Sequence, residues 1–285
     1  MTFIAPPPLP DIILDPIVRL GLAEDLGRAG DLTTDATIKP GTRLTAHIQA
    51  RKTGILAGMD AATYALKLVD ADVKLDQRIH DGDKIMPGDT IAMMTGAARS
   101  ILIAERTMLN FLGRLSGIAT LTNAFAAKME HTKAKIVCTR KTTPGHRAVE
   151  KRAVRCGGGT SHRYGLDDAI LIKDNHIAAC GSIAEALQRA HAYAGHLRMI
   201  EIEVDTLDQL KEALAHKPHA VLLDNMEPPL LREAIGIIDG RCLAEASGGI
   251  TLDTVAAKAE TGVDYISSGA LTHSAINLDV GLDIL

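Results

Sequence analysis

Charged and hydrogen-bonding side chains recur at one kind of place in this chain, directly after short apolar runs. Arg140 and Lys141 follow one run, within Thr139, Arg140, Lys141, Thr142, Thr143, Pro144 and Gly145. A glycine-rich stretch then supplies His162 and Arg163, and the next run ends in Lys173, Asp174, Asn175 and His176. Glu201 and Glu203 come next, then Asp224 with Asn225, then Ser247, Gly248 and Gly249, and last Ser268 and Gly269. Arginine forks suit carboxylate and phosphate, while lysine supplies a point charge. Arg140, Lys141, Arg163 and Lys173 are therefore a set for a strongly anionic ligand. Glu201, Glu203 and Asp224 are acceptors for sugar hydroxyls or a hydrated Mg²⁺. The serine-glycine runs suit a phosphate held on backbone N–H groups. Glu201 and Glu203 are two apart and so share one strand face. Together these groups suit a phosphorylated sugar beside a second, strongly anionic small molecule. Taken singly, each has a plainer reading as a solvated loop, a turn or a packing residue; their recurrence at successive strand ends argues for one rim.

The elements that must position them are legible. Apolar runs lie at 136–139, 169–172, 199–204, 220–223, 243–247 and 265–268. Helical patterns separate most of them, at 182–193, 207–214, 229–238 and 252–261. That alternation predicts βα units around a parallel sheet. Closed on itself, such a series is a barrel with its site at the C-terminal strand ends; an open doubly wound sheet is the competing architecture. No strand-GxGxxG-helix unit supports a dinucleotide fold, because Gly157, Gly158 and Gly159 have the wrong spacing. Before residue 130 the signals are irregular. A proline-rich start reads as a loose arm leading into a helix near Pro16. A strand follows at 44–49, a turn or short strand at 54–58 and a helix at 60–69. Turns fall at Asp81-Gly82 and Pro87-Gly88, and a long helical stretch at 100–129 is expected to break around Gly113 and Gly117.

Composition excludes several function classes. With 31 basic and 35 acidic residues among 285, the net charge of -4 offers no basic stripe for nucleic acid. Aromatics at 2% and no Trp leave no base-stacking platform. No apolar run reaches the roughly 18 residues of a membrane helix. The four cysteines lack CxxC spacing, so a reducing cytoplasm is the expected compartment and packing their expected role. His146, His162 and His176 show no helical metal-ligand spacing, and no protein-held metal is expected.

The blocks TRKTTPGHR (139–147), GGGTSHR (157–163), LIKDNH (171–176), EIEVD (201–205), LDNM (223–226) and SGGI (247–250) resemble the quinolinate phosphoribosyltransferase family, the decarboxylating nicotinate-nucleotide pyrophosphorylases. EDLGRAGDLTT (24–34) and ERTMLNFLGRLSG (105–117) agree, so the similarity covers nearly the whole chain in order. One minor departure is His146, at a loop position often apolar in relatives. The resemblance implies an α/β chain: an incomplete, open α/β barrel at 116–274, plus an N-terminal α/β sandwich-like domain at 1–115 that includes the tail from about 275 to 285. It implies dimers or larger homo-oligomers with shared active sites. It implies conversion of quinolinate and phosphoribosyl pyrophosphate to nicotinate mononucleotide, pyrophosphate and CO₂, with Mg²⁺, on the route to NAD. By residue, it implies that Arg140, His162, Arg163 and Lys173 hold the quinolinate carboxylates, with Thr139 in the substrate-binding set and Arg106 entering from a partner subunit. Lys141, one of Glu201 and Glu203 (Glu203 favoured), Asp224, Ser247, Gly248, Gly249, Ser268 and Gly269 would serve the phosphoribosyl part. Lys141, Lys173, Glu203 and Asp224 are the expected catalytic set. Other readings are a relative associated with molybdenum metabolism, a phosphosugar-binding module without turnover and, more distantly, a Schiff-base aldolase using Lys173. Thr142, Thr143 and the His162-Arg163 pair favour the quinolinate enzyme.

Overall fold

The computed structural model describes residues 6–285. In chain order the first elements are α1 (Asp11–Leu26), α2 (Leu32–Thr37), β1 (Arg43–Ala50), β2 (Gly54–Ile55), α3 (Met59–Val69), β3 (Lys74–Gln77), β4 (Lys84–Ile85), β5 (Thr90–Ala97) and α4 (Ala98–Lys128). Then come β6 (Lys135–Val137), α5 (Arg147–Cys156), β7 (Ile170–Ile172), α6 (Asp174–Cys180), α7 (Ile183–Tyr193), β8 (Ile200–Val204) and α8 (Leu207–Ala215). The chain closes with β9 (Ala220–Asp224), α9 (Pro228–Ile238), β10 (Leu243–Ser247), α10 (Val255–Ala259), β11 (Tyr265–Ser267), α11 (Ala270–His273) and β12 (Val280–Ile284). They fall into two compact units: the chain through Asn123 with Thr142–Gly158 and Ala270–Leu285, and Ala124–Lys141 with Gly159–Gly269.

The first unit carries an antiparallel sheet in the order β12-β1-β5-β3. Ala46, Ile48 and Ala50 alternate along β1 and are fully buried, the period-2 signature of a half-covered strand. The C-terminal strand covers the outer edge of β1, with Ala46 opposite Ile284. Three expectations are corrected here. The first helix starts at Asp11, not near Pro16, because its first turn closes on the Pro10 carbonyl, which accepts from Ile13 N–H at 2.9 Å; Pro16 lies inside the helix. The arm is not loose over residues 6–10. Arg152 donates to the Pro7 and Pro6 carbonyls at 2.9 and 3.3 Å, and Leu9 N–H donates to Asp60 at 3.0 Å. Met1 to Ala5 lie outside the described residues. Finally, α4 runs unbroken past Gly113 and Gly117. Those glycines admit another backbone: a Cβ on Gly117 would sit 2.1 Å from the Ile276 carbonyl, and Leu278 N–H donates to the Gly113 carbonyl at 2.8 Å.

Helix α5 was not foreseen, because charge fills its sequence yet Glu150, Lys151 and Arg152 are all buried. Two of these charges, Glu150 and Arg152, are paired in place. Arg152 pairs with Asp81 and Asp60, and Arg114 pairs with Glu150 at 3.0 Å. Stranding one partner of a buried pair costs about 3–5 kcal/mol, so these contacts lock the helix in position. Glu150 also accepts from Thr143 through both its hydroxyl (2.9 Å) and its N–H (3.2 Å), which ties the end of the TRKTTPG run to the helix.

The second unit is a six-stranded parallel sheet, ordered β6-β11-β10-β9-β8-β7. All six expected strands are present, each within about two residues of its expected bounds. Consecutive strands β6 and β7 lie at opposite ends of the row, as in an α/β barrel left open between them. A single bridge from Val137 to Thr160 extends the β6 end. In β8 Ile200, Ile202 and Val204 are buried while Glu201 and Glu203 are half-buried on the other face. The polar inner face and apolar outer face set all the chemistry on the inside of the row. Among the described residues no helix is long and apolar enough to cross a membrane.

Candidate active site

The C-terminal strand ends surround a cleft of about 420 Å³ in the second unit. β6 delivers Thr139, Arg140 and Lys141, and the segment ahead of β7 delivers His162 and Arg163. Lys173 follows β7, Glu203 lies on β8, Asp224 ends β9 and Ser247 ends β10. Nine residues expected to serve the site thus share one hollow. Leu171 and Leu222 add apolar wall, suited to the face of a flat ring.

Each group is held by local structure. Thr139 Oγ1 accepts from Lys141 N–H at 3.0 Å, which tightens the turn after β6. Arg163 donates to the Ala169 carbonyl at 3.1 Å, and Asp168 gathers the N–H groups of Tyr164 and Gly165 at 2.6 and 3.0 Å. Burial pulls the Arg163 guanidinium below its ordinary pKa, and neighbouring Arg140 adds to this; Asp168 and Glu201 oppose it. Two guanidinium groups that repel each other in a partly dry cleft are relieved by an anion between them. Lys173 sits at the N-cap of α6, where its N–H donates to His176 Nδ1 at 3.0 Å, so His176 is a capping residue. Lys173 Nζ pairs with Glu203.

Opposite the cations, two loops interlock. Asn225 N–H donates to the Ser247 carbonyl at 3.0 Å, and Asn225 Nδ2 donates to Asp224 at 2.6 Å. Gly248 (φ 82°) and Gly249 (φ 62°) both adopt left-handed backbone. A Cβ on Gly248 would lie 2.0 Å from Asn225 Oδ1. Beneath them Lys258, 2% exposed, donates to the Met226 and Gly248 carbonyls at 3.0 and 3.1 Å. Sequence reading missed Lys258, since nothing in a helical pattern distinguishes a buried lysine from a solvated one.

Other assignments are separated by the structure. Glu203 lines the cleft, whereas Glu201 lines a neighbouring space of about 450 Å³ between the sheet and the segment ahead of β7. Gly248, Gly249, Ser268 and Gly269 stand beside the cleft residues Ser247 and Ser267, not among the side chains lining the hollow. Arg106 belongs to the first unit, exposed on α4. Glu245 and Ser267 also face the cleft and were not expected. The signal for Glu245 was present: it is two residues before Ser247 on one strand, hence on the same face. Burial pushes the Cys156 thiol up to about 12, as expected of a packing cysteine.

Comparison with known proteins settles the family. The N-terminal domain of quinolinate phosphoribosyl transferase matches residues 31–116, and the C-terminal domain of the same family matches residues 118–283. The chain belongs to the quinolinate phosphoribosyl transferase family. Within it, a nicotinate-nucleotide pyrophosphorylase [carboxylating] from Mycobacterium leprae is 46% identical over 272 residues, covering 94% of this chain and 95% of that one. A quinolinate phosphoribosyltransferase [decarboxylating] from Nicotiana tabacum is 42% identical, covering 99% of this chain and 85% of its own. The solved structure of the nicotinate-nucleotide pyrophosphorylase from Francisella tularensis superposes with a TM-score of 0.93 at 39% identity, over 97% of this chain and 98% of that one. In this member of the family, four strand-end cations and the carboxylates of Glu203 and Asp224 line one cleft.

Proposed function

We infer that this chain transfers the phosphoribosyl group of phosphoribosyl pyrophosphate to quinolinate with loss of CO₂, forming nicotinate mononucleotide and pyrophosphate for NAD biosynthesis. The observation that carries this reading is the cleft itself, where Arg140, Lys141, Arg163 and Lys173 face Glu203, Asp224 and the Ser247 turn. Quinolinate has two adjacent carboxylates. Gathering it beside an anionic sugar requires several cations, and Arg140 and Arg163 are the forks suited to it. Thr139 and Lys173 complete that side, with His162 behind it. Lys141, Asp224 and the glycine turns at 247–249 and 268–269 serve the phosphoribosyl group.

The chemistry follows from placement. As the C–O bond to pyrophosphate breaks, the ribose gains oxocarbenium character, which Glu203 and Asp224 stabilise electrostatically. The cleft holds the quinolinate nitrogen in line with the anomeric carbon, and this positioning supplies much of the rate. The new C–N bond makes the ring a pyridinium. The carboxylate next to nitrogen then leaves as CO₂; its bonding pair stays on the ring carbon beside the positive nitrogen and takes up a proton. Lys173, paired with Glu203, binds and orients and forms no covalent adduct; borohydride trapping of substrate on Lys173 would contradict this. Asp224 and Glu203 are oxygen donors with one oxygen each engaged by Asn225 and Lys173, a set that would suit the neighbourhood of a hydrated ion carried in by the diphosphate. Mg²⁺ would there supply charge neutralisation on the leaving pyrophosphate.

We place the reaction in the cytoplasm, in keeping with four free cysteines. The working domain division is 1–115 with 275–285, and 116–274. The functional form is a homodimer or a larger homo-oligomer, in which the exposed Arg106 reaches the cleft of another copy. Mixing R106A with R140A protein should then restore part of the activity through hybrid dimers carrying one intact site. No recovery after verified subunit exchange sinks the sharing. The decisive assay supplies quinolinate, phosphoribosyl pyrophosphate and Mg²⁺ and looks for nicotinate mononucleotide and CO₂, with nicotinate as control acceptor. Turnover of nicotinate in preference to quinolinate, or of neither, overturns the function.

A further inference from the structure

At the edge of the cleft, buried Glu245 and half-buried Glu201 form an acid pair that the mechanism above does not use. His162 Nδ1 accepts from Arg163 N–H at 2.8 Å and is therefore unprotonated. The ring proton sits on Nε2, which faces Glu201 at 3.1 Å and Glu245 at 3.6 Å. One atom from each of the three residues lies within 4.8 Å of the others. Glu245 is 6% exposed, and its Oε1 has no hydrogen-bond donor, although Ser267 bonds to the carboxyl group. A single N–H cannot satisfy two ionised carboxylates, and Glu245 is the more buried of the two, with one oxygen lacking a donor, so it is the one whose negative charge is least compensated.

We propose that Glu245 is a positioning residue which, with Glu201, holds one proton at the edge of the cleft, keeps His162 in its Nε2–H form, and takes that proton up more firmly when the dicarboxylate acceptor binds. The groups facing Glu245 from each neighbouring element fit the role. Glu201 on β8 repels its negative charge, while His162 ahead of β7, Lys173 after β7 and Ser267 on β11 favour it; Leu222 on β9 is apolar. Burial is the leading influence and, with Glu201, carries the Glu245 carboxyl up to about 7. Arg163, which feels the charge of Glu201, links the pair to the acceptor side of the cleft. Above neutrality a second negative charge appears under the cations and weakens their hold on a dianion. Binding a dianion first does the reverse and draws a proton in.

This inference rests on quinolinate being the acceptor, and the test separates the two. Quinolinate is titrated calorimetrically into the enzyme near pH 7, without phosphoribosyl pyrophosphate, in buffers of different ionisation enthalpy. The expected result is net proton uptake by the parent protein and none by E245Q. In turnover, the quinolinate KM of the parent should rise about five- to ten-fold between about pH 6 and pH 8.5, while that of E245Q stays flat across the same range. A merely structural role would move stability or kcat but would not erase the pH dependence. Binding and turnover with no proton uptake, or uptake that survives in E245Q, overturn the proposal and leave the function standing. If the parent neither binds nor turns over quinolinate, the function itself falls. Should E245Q not fold, E201Q serves: without the charge of Glu201 the Glu245 carboxyl titrates lower, and the pH of maximal uptake must move down. An unmoved maximum overturns the proposal.

Discussion

Arg163→Ala is expected to lower kcat/KM for quinolinate about 10²- to 10³-fold, with less than about three-fold change in the KM for phosphoribosyl pyrophosphate. Truncating one partner of a desolvated, charge-assisted pair costs about 2–5 kcal/mol, and each 1.4 kcal/mol is about a factor of ten. The effect is selective because Arg163 stands beside Arg140 on the acceptor side, its guanidinium already held by the Ala169 carbonyl. Arg163→Lys keeps the charge and loses the planar fork, so it should fall between parent and alanine variant. Steady-state kinetics with each substrate varied in turn provide the check. Equal losses toward both substrates would show that Arg163 supports the whole cleft and does not select the acceptor.

Gly248→Ala should damage the opposite side. Two effects coincide there: a left-handed φ of 82° and a Cβ that would lie 2.0 Å from Asn225 Oδ1 and 2.9 Å from the Asn225 backbone nitrogen. The left-handed conformation alone costs a non-glycine residue about 1–2 kcal/mol. The clash cannot be relieved by a flexible side-chain end alone, since backbone is also struck. Asn225 must move, and it bonds both the Ser247 carbonyl and the Asp224 carboxylate. We expect the KM for phosphoribosyl pyrophosphate to rise at least about ten-fold, with a Tm lower by several degrees. Gly249→Ala is the control. Its φ of 62° is also left-handed, but a Cβ there meets nothing within 4 Å, so only the backbone cost applies. If the two variants behave alike in donor kinetics, the interlock between residues 225 and 248 does not organise the sugar site.

The strands were legible because both faces of a parallel sheet in a βα series are covered, which writes each as a short apolar run. The rim was legible because charged side chains stand where such runs stop. Helix α5 was hidden by the opposite circumstance. Its Glu150 and Arg152 look solvated in sequence, and their burial is possible because Arg114, Asp60 and Asp81 arrive from distant segments. Gly113 and Gly117 misled for a related reason: a glycine inside a helix can mark a break or a contact, and only the approach of residues 276–278 distinguishes them.

The amino-acid order by itself determined the family, the alternation of strands and helices, and which residue types gather at the strand ends. Tertiary structure alone separated two equivalent-looking glutamates, Glu203 in the cleft against Lys173 and Glu201 against His162. It also decided that Lys258 is a buried brace under the glycine turn. Local pattern follows from covalent neighbours and periodic burial. The charge state and the purpose of a side chain depend on which groups from remote segments surround it, and on how much water they exclude.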